Sequence, residues 1–321
     1  MRDWRAERER LLLALEREPK PEDRAEAAEL LCELAHDAPA TAREEFIPVV
    51  ARLIADAQPL VRSAGLALAS QVLPADEAYA LFVRHVSDAA PRVRAEATGR
   101  LADLARPDAR GALAAALEDQ NPSVRFEAAR GMAALQHSAG FDVLVAALED
   151  ADLRFRALAA LAELQDARAV PQVRSVLRRW LMPHFDRTQA AGVLIRLGDP
   201  EGEGEKHLLA RAAKKWTEDR PMALELLGEV KAKAALETLS RVLRTPGDLC
   251  RGPAARGLGR LGTPAALEAL RAALPDADDD LKVDLAEALL LFGTDEARAL
   301  AAGIRVRSTE AQGELDAILG S

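Results

Sequence analysis

The sequence has few aromatic residues, few cysteines and no long apolar segment. Aromatic side chains make up 3% of the 321 residues, so the core has to be built from small aliphatic side chains such as Ala and Leu. The two cysteines, Cys32 and Cys250, do not predict a disulfide framework. The longest early apolar run, residues 11–15, is followed at once by Glu16 and Arg17. We therefore expect no signal peptide, no transmembrane helix and a cytoplasmic protein.

Charge is distributed unevenly along the chain. The net charge is −9, but residues 168–262 hold 18 basic and 11 acidic side chains, whereas the segments on both sides are acidic. Trp180, Phe185 and Trp216 lie in this basic segment, a composition that suits nucleic acid because cations bind phosphates and aromatic rings stack on bases. Both tryptophans follow helical patterns, where a Trp commonly fills a packing joint, so we expect them to be packing residues.

One phrase, Asp-x-x-Pro-x-Val-Arg, occurs three times, at residues 56–62, 88–94 and 119–125. In the third copy Asn121 can cap a helix and Pro122 can occupy its first position. The apolar residues that follow recur with the period of one helical face. Each copy therefore predicts a turn followed by an amphipathic helix.

The same register continues along the chain. A basic residue recurs every 29 to 38 residues, each followed ten positions later by an apolar residue, at Arg24, Arg62, Arg94, Arg125, Arg154, Arg187, Arg220, Arg251 and Lys282. Shorter helical patterns lie between these positions. Each unit is predicted to be a helix, a turn and a second helix, and such units are stable only when they stack.

This pattern resembles HEAT repeats, in particular the short bacterial HEAT-like units of phycobilin lyases. The resemblance implies an all-α, right-handed α-α superhelix of about nine or ten helical hairpins, with the second helices on the concave face. It also implies a structural ladder between units, formed by a turn Asp and a second-helix Arg: Asp56, Arg62, Asp88, Arg94, Asp119 and Arg125. The turns before Arg154, Arg187 and Arg220 depart from the pattern, which predicts a break in the ladder there.

We interpret the chain as one solenoid over residues 1–321. Its expected parts are an N-terminal capping unit (1–45), regular repeats (46–167), longer irregular repeats (168–233), further regular repeats (234–293) and a C-terminal cap (294–321). The last helix is expected at Thr309–Leu319. The Ala-, Arg- and Leu-rich composition is typical of a GC-rich bacterium.

No motif predicts catalysis, a metal or a cofactor. Residues 257–262 match the dinucleotide fingerprint Gly-x-Gly-x-x-Gly, but they end a predicted helix instead of following a strand. Close helix packing and a glycine cap explain them better. The five histidines are dispersed, and the His-Glu dipeptide that HEAT-like iron hydroxylases repeat is absent from the sequence.

The outward positions of the second helices indicate where a partner could bind. Arg256 and Arg196 each face glutamates of neighbouring units at the same position, which predicts structural ion pairs. Arg130 instead faces Gly99 and Ala159. Arg130 is therefore predicted to lack an internal partner, beside surface aromatics that would make a binding hot spot. The predicted partner-binding residues are Phe126, Arg130, Phe155 and Arg156. In the alternative, the phenylalanines pack into grooves between units.

We expect a non-enzymatic, monomeric scaffold or adaptor that binds another protein or a peptide segment on its concave face. One alternative is a nucleic-acid-binding or repair protein resembling HEAT-like DNA glycosylases, which the acidic net charge does not favour. A second is a lyase-type chaperone for a prosthetic group. We expect no contact with a membrane.

Overall fold

The computed structural model describes residues 4–18 and 20–320. Every regular element in these ranges is helical, so the predicted all-α class is confirmed. The α-helices are α1 (Trp4–Arg17), α2 (Pro21–Asp37), α3 (Ile47–Ile54), α4 (Pro59–Val72), α5 (Ala75–His85), α6 (Pro91–Leu104), α7 (Arg110–Ala116), α8 (Pro122–Ala134), α9 (Phe141–Ala147), α10 (Arg154–Leu164), α11 (Val170–Arg178), α12 (His184–Arg196), α13 (Glu203–Ala213), α14 (Arg220–Glu229), α15 (Ala235–Leu243), α16 (Arg251–Leu261), α17 (Pro264–Ala273), α18 (Asp279–Phe292), α19 (Asp295–Ala302) and α20 (Thr309–Leu319).

Short 3₁₀ helices precede four of the first helices, at Ala40–Phe46, Pro107–Ala109, Ser138–Gly140 and Ala167–Ala169. The sequence signals at helix ends operate as expected. Asn121 Oδ1 accepts a hydrogen bond from the Ser123 N–H at 2.9 Å, and Pro122 is the first residue of α8. Helix α16 ends at Gly262, whose φ of +66° is the left-handed conformation that glycine adopts without strain. The predicted last helix matches α20.

The chain divides into two compact units, residues 1–150 and 151–321. In the first unit, four hairpins (α1/α2, α3/α4, α5/α6, α7/α8) are followed by α9, and the second helices α2, α4, α6 and α8 pack in sequence. In the second unit, α10 is followed by five hairpins, and α10, α12, α14, α16, α18 and α20 pack in the same manner. The predicted division into capping, regular and irregular repeats stays a prediction.

Alanine and leucine dominate the core, and the largest fully buried side chains in the described ranges are Phe46, Phe82 and Phe126. Because small side chains let helices approach closely, this core suits a stack of helical hairpins. None of the helices within residues 4–18 and 20–320 has both the length and the apolar character needed to span a bilayer.

Candidate partner-binding surface

The arginines of the repeated phrase connect each turn to the next. Arg62 donates to both carboxylate oxygens of Asp88, at 2.8 and 3.1 Å, and its third nitrogen donates to the carbonyl of Asp56 at 2.9 Å. Arg94 binds Asp119 in the same way, at 2.7 and 2.9 Å. Arg24 is also paired with Asp56. Arg62 and Arg94 therefore each join their own turn to the turn of the following hairpin.

The aspartates of these turns also hold the backbone. Asp88 accepts the Ala90 N–H and Asp119 accepts the Asn121 N–H, both at 2.8 Å. The Arg94 guanidinium and the Asn121 N–H hold the pKa of Asp119 below its ordinary value, although burial opposes the shift. These charges are satisfied within the protein, so they offer little to an external ligand.

The predicted break in the ladder is wrong at two of its three positions. Arg154 is buried and lies 2.8 Å from Asp186, and Arg220 forms a bidentate pair with Asp248 at 2.6 and 2.8 Å. Sequence reasoning missed these pairs because the aspartates do not stand at the phrase's usual six-residue spacing. At the third position Arg187 donates to the Leu177 carbonyl at 3.0 Å instead.

The turn aspartate after Arg187 has other partners. Asp219 is fully buried, is paired with Arg211, and accepts a hydrogen bond from Thr188 at 2.6 Å. His207 lies beside this group, 3.4 Å from the Thr188 hydroxyl. Burial, with the nearby charges of Arg187 and Arg211, lowers the pKa of His207 to about 4.

The glycine motif at residues 257–262 is a packing element, as predicted. A Cβ atom on Gly228 of α14 would overlap the Gly257 carbonyl of α16, and a Cβ on Gly259 would overlap the Ala288 carbonyl of α18. A Cβ on Gly257 would lie 2.7 Å from the Leu224 carbonyl oxygen. Bare backbone at these positions therefore lets three consecutive second helices touch.

The predicted ion pairs of Arg256 are confirmed. Its guanidinium lies 2.9 Å from Glu225 and 3.4 Å from Glu287, and it also lies 2.6 Å from Asp284, which the sequence did not indicate. Burial raises the pKa of Asp284 above its ordinary value despite the nearby arginine. Arg196 is paired with Glu229, as predicted.

The prediction that Phe126 is exposed is wrong, because only 1% of this residue is accessible to solvent. The prediction assumed that a single apolar stripe of α8 faces the core. Helix α8 instead buries Val124, Phe126, Met132 and Ala133 together, residues that span more than half of its circumference at 100° per residue. A helix with neighbours on both sides buries a wider arc than one stripe.

The prediction that Arg130 lacks an internal partner is also wrong. Its guanidinium lies 2.8 Å from Asp103 and 3.0 Å from Glu127, and it donates to the Gly99 carbonyl at 3.0 Å. Gly99 is the residue of α6 at the position equivalent to Arg130. Asp103 lies four positions beyond Gly99, and the arginine side chain is long enough to reach it.

Phe155 and Arg156, at the start of α10, are both exposed, and Phe155 is 50% accessible. Gln189 of α12 lies against this site and donates its amide N–H to the Phe155 carbonyl at 2.9 Å. Gln189 is only 7% accessible, and its Oε1 has no hydrogen-bond partner among the described residues. Sequence reasoning missed Gln189, although its outward position on a second helix was a usable signal. The structure thus brings together Phe155, Arg156 and Gln189.

Trp180 and Trp216 do not fill packing joints, contrary to the prediction. They are 82% and 86% accessible, and both lie in loops that connect a first helix to a second helix. At the loop of Trp216 the buried positions are held by charged residues, since Arg211, Asp219 and Arg220 are all buried.

These features define a class, the proteins built from stacked helical hairpins. Within it, the family described as HEAT repeats matches residues 79–154 and 205–290, half of the chain, and the description PBS lyase HEAT-like repeat matches residues 153–179. The chain therefore belongs to the HEAT-repeat family. Comparison with curated proteins gives no match.

Several solved structures are similar to this chain at low identity. The CpcE–CpcF complex of phycocyanin lyase from Nostoc sp. PCC7120 is 21% identical, with a TM-score of 0.46, over 75% of this chain and 94% of that chain. Human deoxyhypusine hydroxylase is 20% identical, with a TM-score of 0.33, over 79% of this chain and 98% of that chain. Kap95p, solved with RanGDP, is 12% identical, with a TM-score of 0.40, over 97% of this chain and 49% of that chain.

Proposed function

We propose that this protein is a non-enzymatic, cytoplasmic scaffold or adaptor that binds another protein through its second helices. The partner-binding site is centred on Phe155 and Arg156 of α10 and Gln189 of α12. The observation that carries this proposal is the half-exposed Phe155 ring, which stands on a helix whose other apolar side chains are largely buried. Exposed aromatic and arginine side chains in one place are typical of binding hot spots.

Gln189 adds a directional polar group to this site. Its amide N–H is held by the Phe155 carbonyl, which fixes the side chain, whereas its Oε1 is buried and unpaired. A buried acceptor without a donor costs about 1–3 kcal/mol. Because that oxygen is buried, the surface that a partner can contact directly consists of the exposed Phe155 ring and Arg156.

The rest of the second-helix surface in residues 151–321 supports binding at this position. Toward the C-terminal end, Arg256 and Arg260 are paired with Glu225, Asp284 and Glu287, and Arg196 is paired with Glu229. A charge that is already paired within the protein would have to give up that contact to bind a partner. The region around Phe155 therefore offers more binding energy than these paired charges.

Affinity capture tests the proposal. Tagged wild-type protein, Phe155→Ala and Leu291→Ala are incubated with native lysate, and captured proteins are quantified by mass spectrometry. Leu291 is the matched control, because it is an exposed apolar residue on another second helix, α18. We expect a partner that wild type and Leu291→Ala retain and Phe155→Ala loses, with an affinity reduced by about 2 kcal/mol or more.

Two further variants complete this test. Arg156→Glu changes the exposed polar part of the site and should weaken capture of the same protein directly. Gln189→Ala removes a buried side chain that donates to the Phe155 carbonyl, so it should weaken capture through the position of Phe155. If the captured set is identical for wild type and all three site variants, the site is not where partners bind.

A further inference from the structure

In residues 151–321, large apolar side chains stand at the tips of the loops that join the first to the second helix in three successive hairpins. The loops join α11 to α12 (179–183), α13 to α14 (214–219) and α15 to α16 (244–250). They carry Trp180 and Leu181, then Trp216, then Leu249, and each of these residues is at least 75% accessible. Two of the loops also repeat one phrase, two basic residues followed by Trp, at 178–180 and 214–216.

Contacts between neighbouring hairpins hold the three loops side by side. Thr188 in the first turns of α12 donates to Asp219 at the end of the second loop, at 2.6 Å. Arg220, directly after that loop, forms its bidentate pair with Asp248 of the third loop. Adjacent packed helices lie roughly 8–10 Å apart, so the three tips follow one edge of this unit at about that spacing.

The polarity of the second loop is inverted relative to an ordinary surface loop. Charged Arg211, Asp219 and Arg220 are buried at its base, where Arg220 also donates to the Ala212 carbonyl at 2.9 Å. The tryptophans and leucines, which gain most from burial, point into solvent. A contiguous set of exposed large apolar side chains marks an interaction surface for a protein or a membrane.

Cations accompany the apolar tips. Lys214, Lys215 and Arg244 are exposed, and none of them forms an ion pair with any residue in the described parts of the chain. Glu218 is the one exposed carboxylate of the three loops, since Asp219 is buried and Asp248 is paired with Arg220. The next loop of this series, 274–278, carries two aspartates and no exposed large apolar residue, so the surface ends there.

Contrary to the expectation from the sequence that the protein has no contact with a membrane, we propose that these three loops dock the protein on an anionic lipid bilayer. Trp favours the membrane interface, leucine inserts below it, and Lys and Arg interact with anionic headgroups. Tips on separate loops can enter a lipid surface individually, whereas a folded partner would need matching pockets for all of them. Single-stranded nucleic acid would stack on the tryptophans, but it would leave Leu181 and Leu249 in water.

Vesicle binding of the full chain tests this proposal. The probes are vesicles of phosphatidylcholine with 30% phosphatidylglycerol, and vesicles of phosphatidylcholine alone, as a control. We expect co-sedimentation with the anionic vesicles, weaker binding at high salt, and a blue shift of tryptophan emission. The shift reports on the loops, because two of the three tryptophans lie there and the third, Trp4, stacks on Phe46.

Variants assign the binding to the loops. Trp180→Ala with Trp216→Ala should weaken it about tenfold or more per residue, with an unchanged circular dichroism spectrum because both rings are exposed. Lys214→Glu with Lys215→Glu should also weaken it at least tenfold. The matched control, Lys231→Glu with Lys233→Glu, makes the same charge change on exposed lysines in the loop between α14 and α15 and should bind like wild type.

Absence of binding to anionic vesicles would overturn the proposal. An equal loss of vesicle binding in the Lys214/Lys215 and Lys231/Lys233 variants would overturn it as well. Tighter binding to single-stranded DNA or to an acidic peptide than to vesicles, lost in the tryptophan variants, would overturn it too and assign the surface to that ligand. This inference is independent of the proposed partner site, since Phe155→Ala should leave vesicle binding unchanged.

Discussion

The substitution Gly228→Ala tests whether bare backbone holds the second helices of residues 151–321 together. In an isolated helix the change would stabilise by about 1 kcal/mol. Here the new methyl group would overlap the Gly257 carbonyl, and α14 and α16 would have to separate by about 1 Å. A gap of that size forfeits up to about half of the dispersion energy of the affected contacts. We expect a net destabilisation of about 2 kcal/mol or more.

Two further glycine variants test whether the loss of stability follows the closeness of the helix contact. Gly257→Ala, whose Cβ would lie 2.7 Å from the Leu224 carbonyl oxygen, should destabilise by about 1 kcal/mol. Gly313→Ala in α20 meets no atom within 4 Å and should stabilise by about 0.5–1 kcal/mol. Urea denaturation followed by circular dichroism, with hydrogen exchange of α14 and α16, measures all three. Equal or greater stability of Gly228→Ala would refute the close-packing argument.

Three other predictions follow from single residues. Phe126→Ala should lower the free energy of unfolding by about 3–5 kcal/mol, and Phe155→Ala by less than about 1 kcal/mol. Similar losses for both variants in urea denaturation would contradict the burial of Phe126 and the exposure of Phe155. Arg256→Glu should lower the free energy of unfolding by about 2 kcal/mol or more in the same assay, because it adds a fourth carboxylate to the three that now surround Arg256. Because the pKa of folded His207 is lowered to about 4, its contribution to stability is present above pH 6.5 and is lost as pH falls toward 4. His207→Gln should therefore reduce the change in the free energy of unfolding between pH 7.5 and 4.5. An unchanged pH dependence would show that other groups produce it.

The sequence predicts the repeat architecture well because its signals are local. Asn121, Pro122 and Gly262 act on the backbone within one turn of a helix, and the period of apolar residues gives the hairpins directly. The glutamate partners of Arg256 were also predictable, since equivalent positions of stacked helices become neighbours, whereas its Asp284 partner was not.

Site residues were harder to predict because they depend on packing between hairpins. Phe126 and Phe155 hold the same position in the repeat, yet one is buried and the other half-exposed. Arg130 found Asp103 because its side chain extends beyond its own register. Trp180 and Trp216 are exposed although they end helical patterns, and the buried positions at the Trp216 loop are held by the pair of Arg211 and Asp219. None of these differences is encoded by the period of the repeat alone.

Hydrogen–deuterium exchange of the protein with its captured partner would locate the partner-binding surface. We expect that partner binding slows exchange in α10 and in the first half of α12, around Phe155 and Gln189. It also predicts that this protection is lost with Phe155→Ala and retained with Leu291→Ala. Protection confined to helices outside this region, or unchanged in Phe155→Ala, would contradict the assignment of the partner-binding surface.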